Sequence, residues 1–142
     1  MANAYDVAAY ILEKNGPMSA MKLQKLVYYS QAWSLVWDEV ALFPERTEAW
    51  ANGPVVSALY SCHKGQFQVE KLPYGDPVVL TPTQRETIDS VLSFYGDKPG
   101  QWLSELTHSE DPWKNAREGC APGQYCTREI TPAAMAEYYG SL

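Results

Sequence analysis

Four stretches of this chain begin with proline where a helix would start and close on glycine: GPVVSALYSCHKG, TPTQRETIDSVLSFYG, DPWKNAREG and TPAAMAEYYG. Proline is tolerated in the first helical turn because the N–H it lacks has no partner there, and glycine accepts the left-handed conformation past a helix end. This punctuation predicts short helices over residues 54–64, 82–95, 112–118 and 132–139. The second carries a further start signal. Thr81 and Gln84 match the reciprocal capping box, and Ile88, Val91, Leu92 and Tyr95 then recur at helical spacing.

Two helices precede these four. Asn3 is placed to cap one running to about Lys14, with Val7, Ala8, Ile11 and Leu12 on one face and Asn-Gly-Pro breaking it. Ser19 is placed to cap the next, over residues 19–38, the longest periodic segment, which contains MKLQKLVYYSQAW. On a helical wheel Leu23, Leu26, Val27, Ser30, Trp33, Ser34 and Trp37 share one broad face that should meet the core. Lys22, Lys25 and Tyr29 form a neighbouring stripe at the margin of burial. Gln24, Tyr28, Gln31 and Leu35 form another, and its polar members are expected to fix neighbouring backbone.

A short strand over residues 48–51 ends at the Asn52-Gly53 turn signal, a second extended segment lies within QFQVEKLPYGDPVVL, and a short helix covers 101–107. The expected fold is therefore mainly α: a single-domain bundle of six or seven helices around a central helix, with at most a small β-hairpin. At 142 residues, 46% hydrophobic and 13% aromatic, one domain can bury its core without metal or disulfide staples.

Charge and cysteine content narrow the partners. Seventeen acidic against 11 basic residues leave a formal charge of -6, and the cations are spread along the chain, so neither nucleic acid nor an anionic membrane is an expected partner. The amino terminus lacks the charged start and apolar core of a secretory signal, and no apolar run approaches the roughly 20 residues of a membrane span, which points to the cytoplasm. Three cysteines, an odd number, fit reduced thiols better than a disulfide framework. Cys62, Cys120 and Cys126, with His63 and His108, lack paired CxxC spacing, so neither a metal nor another cofactor is expected.

No catalytic residues are assigned. The chain has no phosphate-cradling glycine loop, GxSxG or HExxH. His108, Ser109, Glu110 and Asp111 are the one cluster resembling a reactive site, but adjacent side chains on a turn rarely converge on one reacting atom, and a capped helix-to-helix turn explains them better. The enzymatic alternative is a small hydrolase or transferase using His108, Glu110 and Arg117 around Trp113. Trp50 and Trp113 read as core residues before partner anchors.

Four motifs taken in order, MKLQKLVYYSQAW, TEAWANGPVVSALY, LSELTHSEDPWKNAR and EITPAAMAEYYG, resemble the Panacea domain, the family of SocA-like antitoxins and phage-associated GepA-like proteins, from Ala4 to Tyr139. The matching positions are Lys22, Leu23, Gln24, Lys25, Leu26, Tyr28 and Gln31; Trp50, Gly53, Pro54 and Val55; and Thr107, His108, Pro112, Trp113 and Arg117. Most are apolar, aromatic or turn residues, as a fold signature would be.

The resemblance implies a non-catalytic antitoxin that neutralises a cognate toxin, encoded by an adjacent gene, through direct binding. The alternative is an adaptor that delivers the toxin to the ClpXP protease. With Asn3 already starting the first helix, a separate helix-turn-helix DNA-binding domain is not expected. An acidic antitoxin suits a basic toxin. Lys22, Lys25 and Tyr29 are the expected contact residues, so Lys25→Glu and Tyr29→Ala should weaken the complex without lowering the free protein's melting temperature. The oligomeric state is not legible in the sequence.

Overall fold

A computed structural model describes residues 2–142. Among them are seven α-helices: α1 (Ala4–Asn15), α2 (Ala20–Trp37), α3 (Ser57–His63), α4 (Pro82–Tyr95), α5 (Gly100–His108), α6 (Asp111–Ala116) and α7 (Pro132–Gly140). Five short strands accompany them: β1 (Met18–Ser19), β2 (Thr47–Trp50), β3 (Gly53–Val56), β4 (Gln68–Val69) and β5 (Glu129–Ile130). The fold is mainly α. Helix α2 touches α1, α4, α5, α7 and β3, which places it at the centre of the chain's packing.

Local chemistry sets most helix starts. Asn3 and Asp6 form a reciprocal capping box on α1, with Asp6 N–H donating to Asn3 Oδ1 at 2.9 Å and Asn3 N–H to Asp6 Oδ2 at 3.0 Å. Thr81 and Gln84 do the same for α4 at 3.2 and 2.9 Å. Ser19 and Thr131 cap α2 and α7 singly, each through its hydroxyl at 3.1 Å. Val7, Ala8, Ile11 and Leu12 are buried together on α1, and Ile88, Val91, Leu92 and Tyr95 on α4.

The segment read as a helix from Pro54 is instead strand up to Val56, and α3 begins only at Ser57. Two partners hold it extended. β2 pairs with it antiparallel from Thr47↔Val56 to Trp50↔Gly53, while Gln24 on α2 bonds both backbone groups of Val56. The turn residues are Ala51 and Asn52, and Gly53 opens β3 at φ 122°.

The β-structure exceeds the single hairpin expected. β5 adds to β2 through Thr47↔Ile130 and Glu48↔Glu129, giving the order β3-β2-β5, and β1 pairs with β4 as a second small sheet.

Two further expectations are corrected. Cys120 and Cys126 form a disulfide across a sequence separation of 6, leaving Cys62 as the free thiol, whereas the odd count had pointed to three reduced cysteines. The stripe expected at the surface of α2 is largely interior: Lys25 and Tyr29 are buried and Lys22 is half-buried. The cause is tertiary. The hairpin closes over Lys25 and α7 over Tyr29, and internal oxygens receive their protons. At the far end of the expected core face Trp33 is only half-buried and Trp37 is 51% exposed.

Candidate functional site at the hairpin end of the central helix

Side chains from α2, α5 and α6 converge on the backbone of the β2–β3 hairpin. Gln24 accepts from Val56 N–H at 2.9 Å and donates to Val56 O at 3.4 Å, a two-point bond that mimics a neighbouring strand. Its amide also lies 2.9 Å from His63 Nε2. Burial lowers the His63 pKa, so the neutral ring accepts this hydrogen bond. Gln31 acts similarly farther along α2, accepting from Leu42 and Phe43 N–H at 2.6 and 3.3 Å and donating to Phe43 O at 2.9 Å. Tyr28 instead bonds a side chain, the hydroxyl of Tyr139.

Lys25 is 2% exposed, and its Nζ donates to Pro54 O at 3.1 Å. Among the described residues no carboxylate pairs with it, and desolvation lowers its pKa from 10.5 to about 7. Gly53 makes room for this lysine: a Cβ there would lie 2.5 Å from Lys25 Cε and 3.0 Å from Thr107 Oγ1. Gly53→Ala combines that overlap with a positive φ that L-residues rarely adopt, and is expected to cost about 2–3 kcal/mol in urea denaturation. An unchanged midpoint would show that the hairpin relaxes freely.

The other side of the hairpin is held from α5 and α6. Trp113 Nε1 donates to Trp50 O at 2.8 Å. Buried Arg117 donates to Ala49 O at 2.9 Å, Ala121 O at 3.1 Å and Gln124 O at 2.7 Å, while its guanidinium sits 5.3 Å from the Trp113 ring centre. His108 stacks on the same ring at 4.0 Å, and burial lowers its pKa. Ser104 Oγ reaches Asn52 O at 2.5 Å, and Thr107 Oγ1 donates back to Ser104 O at 2.6 Å. Pro112 is buried at the start of α6.

The family described as antitoxin SocA-like, Panacea domain, matches residues 23–114. The chain belongs to this family. In this Panacea domain the matched span contains most of the hairpin clamp, from Gln24 and Lys25 to Trp113, with Arg117 just beyond it. Among curated proteins and solved structures, none matches the chain.

The three residues of the enzymatic alternative have separate structural uses. His108 and Arg117 lie against the Trp113 ring, whereas Glu110 turns to a tyrosine cluster. Buried Glu110 accepts from Tyr29 and Tyr139, each at 2.7 Å. Tyr139 spends its proton on Glu110, so Tyr28, 3.0 Å away, must donate to Tyr139. Burial raises the Glu110 pKa, and the two hydroxyls partly offset that rise.

Outside the hairpin lies a cavity of about 250 Å³, lined by Gln24, Lys25, Trp50, Tyr60, His63 and Tyr125 among others. From the sequence Tyr60 and Tyr125 were not singled out as site residues, and His63 was weighed only as a metal ligand. Tyr60 and His63, three apart on α3, were the available signal, since that spacing puts both on one helix face. Nothing local marked Tyr125. Among the described residues, no helix is long and apolar enough to cross a membrane, and no group of three or more His, Cys, Asp or Glu is placed to hold a metal ion.

Proposed function

We propose that this Panacea domain neutralises a cognate toxin by direct protein–protein binding, with no catalysis of its own. The observation that carries this reading is membership of the SocA-like antitoxin family over the core of the chain. The surface chemistry supports it. Phe67 is 84% exposed and Phe94 72%, and Trp37, Tyr74 and Val78 are also exposed, large apolar side chains that a protein partner could cover. The formal charge of -6 would steer a basic partner toward such a surface.

The contact residues shift accordingly. Lys25 and Tyr29 lie inside the fold and support the binding surface rather than touch a toxin, while Lys22 keeps partial access. Co-expression with the product of the adjacent gene is expected to relieve growth arrest and to yield a co-purifying complex. Continued arrest with no complex would sink the proposal. Neutralisation by blocking also implies the same toxin lifetime in cells with and without ClpXP; a lifetime that shortens only when ClpXP is present would favour the adaptor reading.

A further inference from the structure

We propose that the cavity between the β2–β3 hairpin and α3 is a binding site for a small planar aromatic acid, with its ring among Trp50, Tyr60 and Tyr125 and its carboxylate at Lys25 Nζ. The walls are aromatic and already preferentially arranged. Trp50 and Tyr60 meet edge to face at 4.9 Å, Tyr60 and His63 at 5.3 Å, and Trp50 lies 6.3 Å from Tyr125. At about 250 Å³ the space falls just below the usual range for drug-sized ligands, which suits one or two fused rings.

The charge comes from the floor. Lys25 presents three N–H donors when protonated, and Pro54 O is its one hydrogen-bond acceptor among the described residues. Gly53 and Pro54 from the hairpin and Thr107 from α5 lie at the end of its side chain, His108 of α5 is near enough to feel its charge, and Tyr60 and His63 from α3 and Tyr125 from the loop after α6 line the same cavity. None of them carries a carboxylate. In a chain of net charge -6, the one amine lining this cavity is thus without a carboxylate partner among the described residues, so a ligand carboxylate supplies what the protein withholds. Burial favours the neutral amine, so an anion entering the cavity should draw in a proton.

The loop carrying Tyr125 is fixed for this role. Arg117 holds the carbonyls of Ala121 and Gln124, and the Cys120–Cys126 disulfide closes the loop. Tyr125 is itself 76% exposed and lines the cavity.

The test is calorimetric titration of the intact protein with naphthalene-2-carboxylate and, separately, naphthalene-2-carboxamide. The acid is expected to bind saturably and about tenfold or more tighter than the amide at pH 7, the difference a charge-assisted hydrogen bond makes. Its binding heat should vary with the ionisation enthalpy of the buffer, because a proton is taken up. Lys25→Met should remove the preference for the acid. Tyr125→Ala, which alters an exposed residue and leaves the fold intact, should weaken the acid several-fold even if Lys25→Met does not fold. Absent saturation, equal binding of acid and amide, or undiminished acid binding by Tyr125→Ala would each overturn the proposal.

Discussion

Tyr29→Ala is expected to lower the melting temperature of the free protein by about 10–20 °C, through a loss of roughly 3–5 kcal/mol. Tyr29 has no exposed surface. Its ring stacks on Tyr95 at 4.2 Å with an interplanar angle of 9°, and meets Tyr28 and Tyr139 edge to face. Truncation would open a void between α2, α4 and α7 and deprive buried Glu110 of one of its two donors. Tyr29→Phe separates the two effects: it keeps the ring, removes the hydrogen bond, and is expected to cost about 1–2 kcal/mol.

Scanning calorimetry of the two variants decides it. A Tyr29→Ala protein that melts with the wild type would restore Tyr29 to the surface. If it melts early, any loss of toxin neutralisation in cells follows from reduced abundance of folded antitoxin before any lost contact is considered.

The same residue shows where sequence reasoning reaches its limit. The capping boxes at Asn3 and Thr81 and the apolar periodicity behind them are local, and α1 and α4 fall where those signals put them. For α2 the wheel gives the apolar face but not the width of burial, because that width depends on remote partners. The acceptor for Tyr29 is Glu110, 81 residues away, and the acceptor for Lys25 is the Pro54 carbonyl, 29 residues away. A polar tip with such an acceptor can be buried, and nothing within one helix announces it.

Pro54 shows the converse. Its local signal favoured a helix start, and a hairpin partner with a glutamine side chain outweighed it. β5, two residues long, exists only because β2 offers an edge. The odd cysteine count said nothing about which two could meet; in the fold Cys120 and Cys126 flank a loop whose Ala121 and Gln124 carbonyls Arg117 holds. Many of the family-motif positions gather at the clamp, yet shared residues identify the scaffold and not the face that meets a toxin.

The lysine in that clamp gives the second large expected effect, a pH dependence of stability. Its pKa is about 7 in the folded chain against an ordinary 10.5. Below pH 7 the amine is charged in both states, and the folded state bears the full cost of burying it. Between pH 7 and 10.5 the folded amine is neutral while the unfolded one still holds its proton, so the unfolded state binds more protons and stability rises with pH. The interval corresponds to a gain on the order of 5 kcal/mol, accumulated evenly across it.

Lys25→Met keeps the stem and removes the ionisation, so urea denaturation of both proteins from pH 6 to 10 isolates the effect. Titrations common to both, including those of the buried tyrosines and Glu110, cancel in the difference. The wild type should gain steadily on the variant above pH 7, and the variant should be the more stable of the two at pH 6, where it is spared a buried charge. Parallel curves would mean that water or a counter-ion reaches the amine and that it stays charged. A carboxylate bound beside Lys25 would act on the same equilibrium in the opposite direction, holding the proton on the amine and flattening the slope, so stability against pH reports occupancy of the cavity as well as burial of its floor.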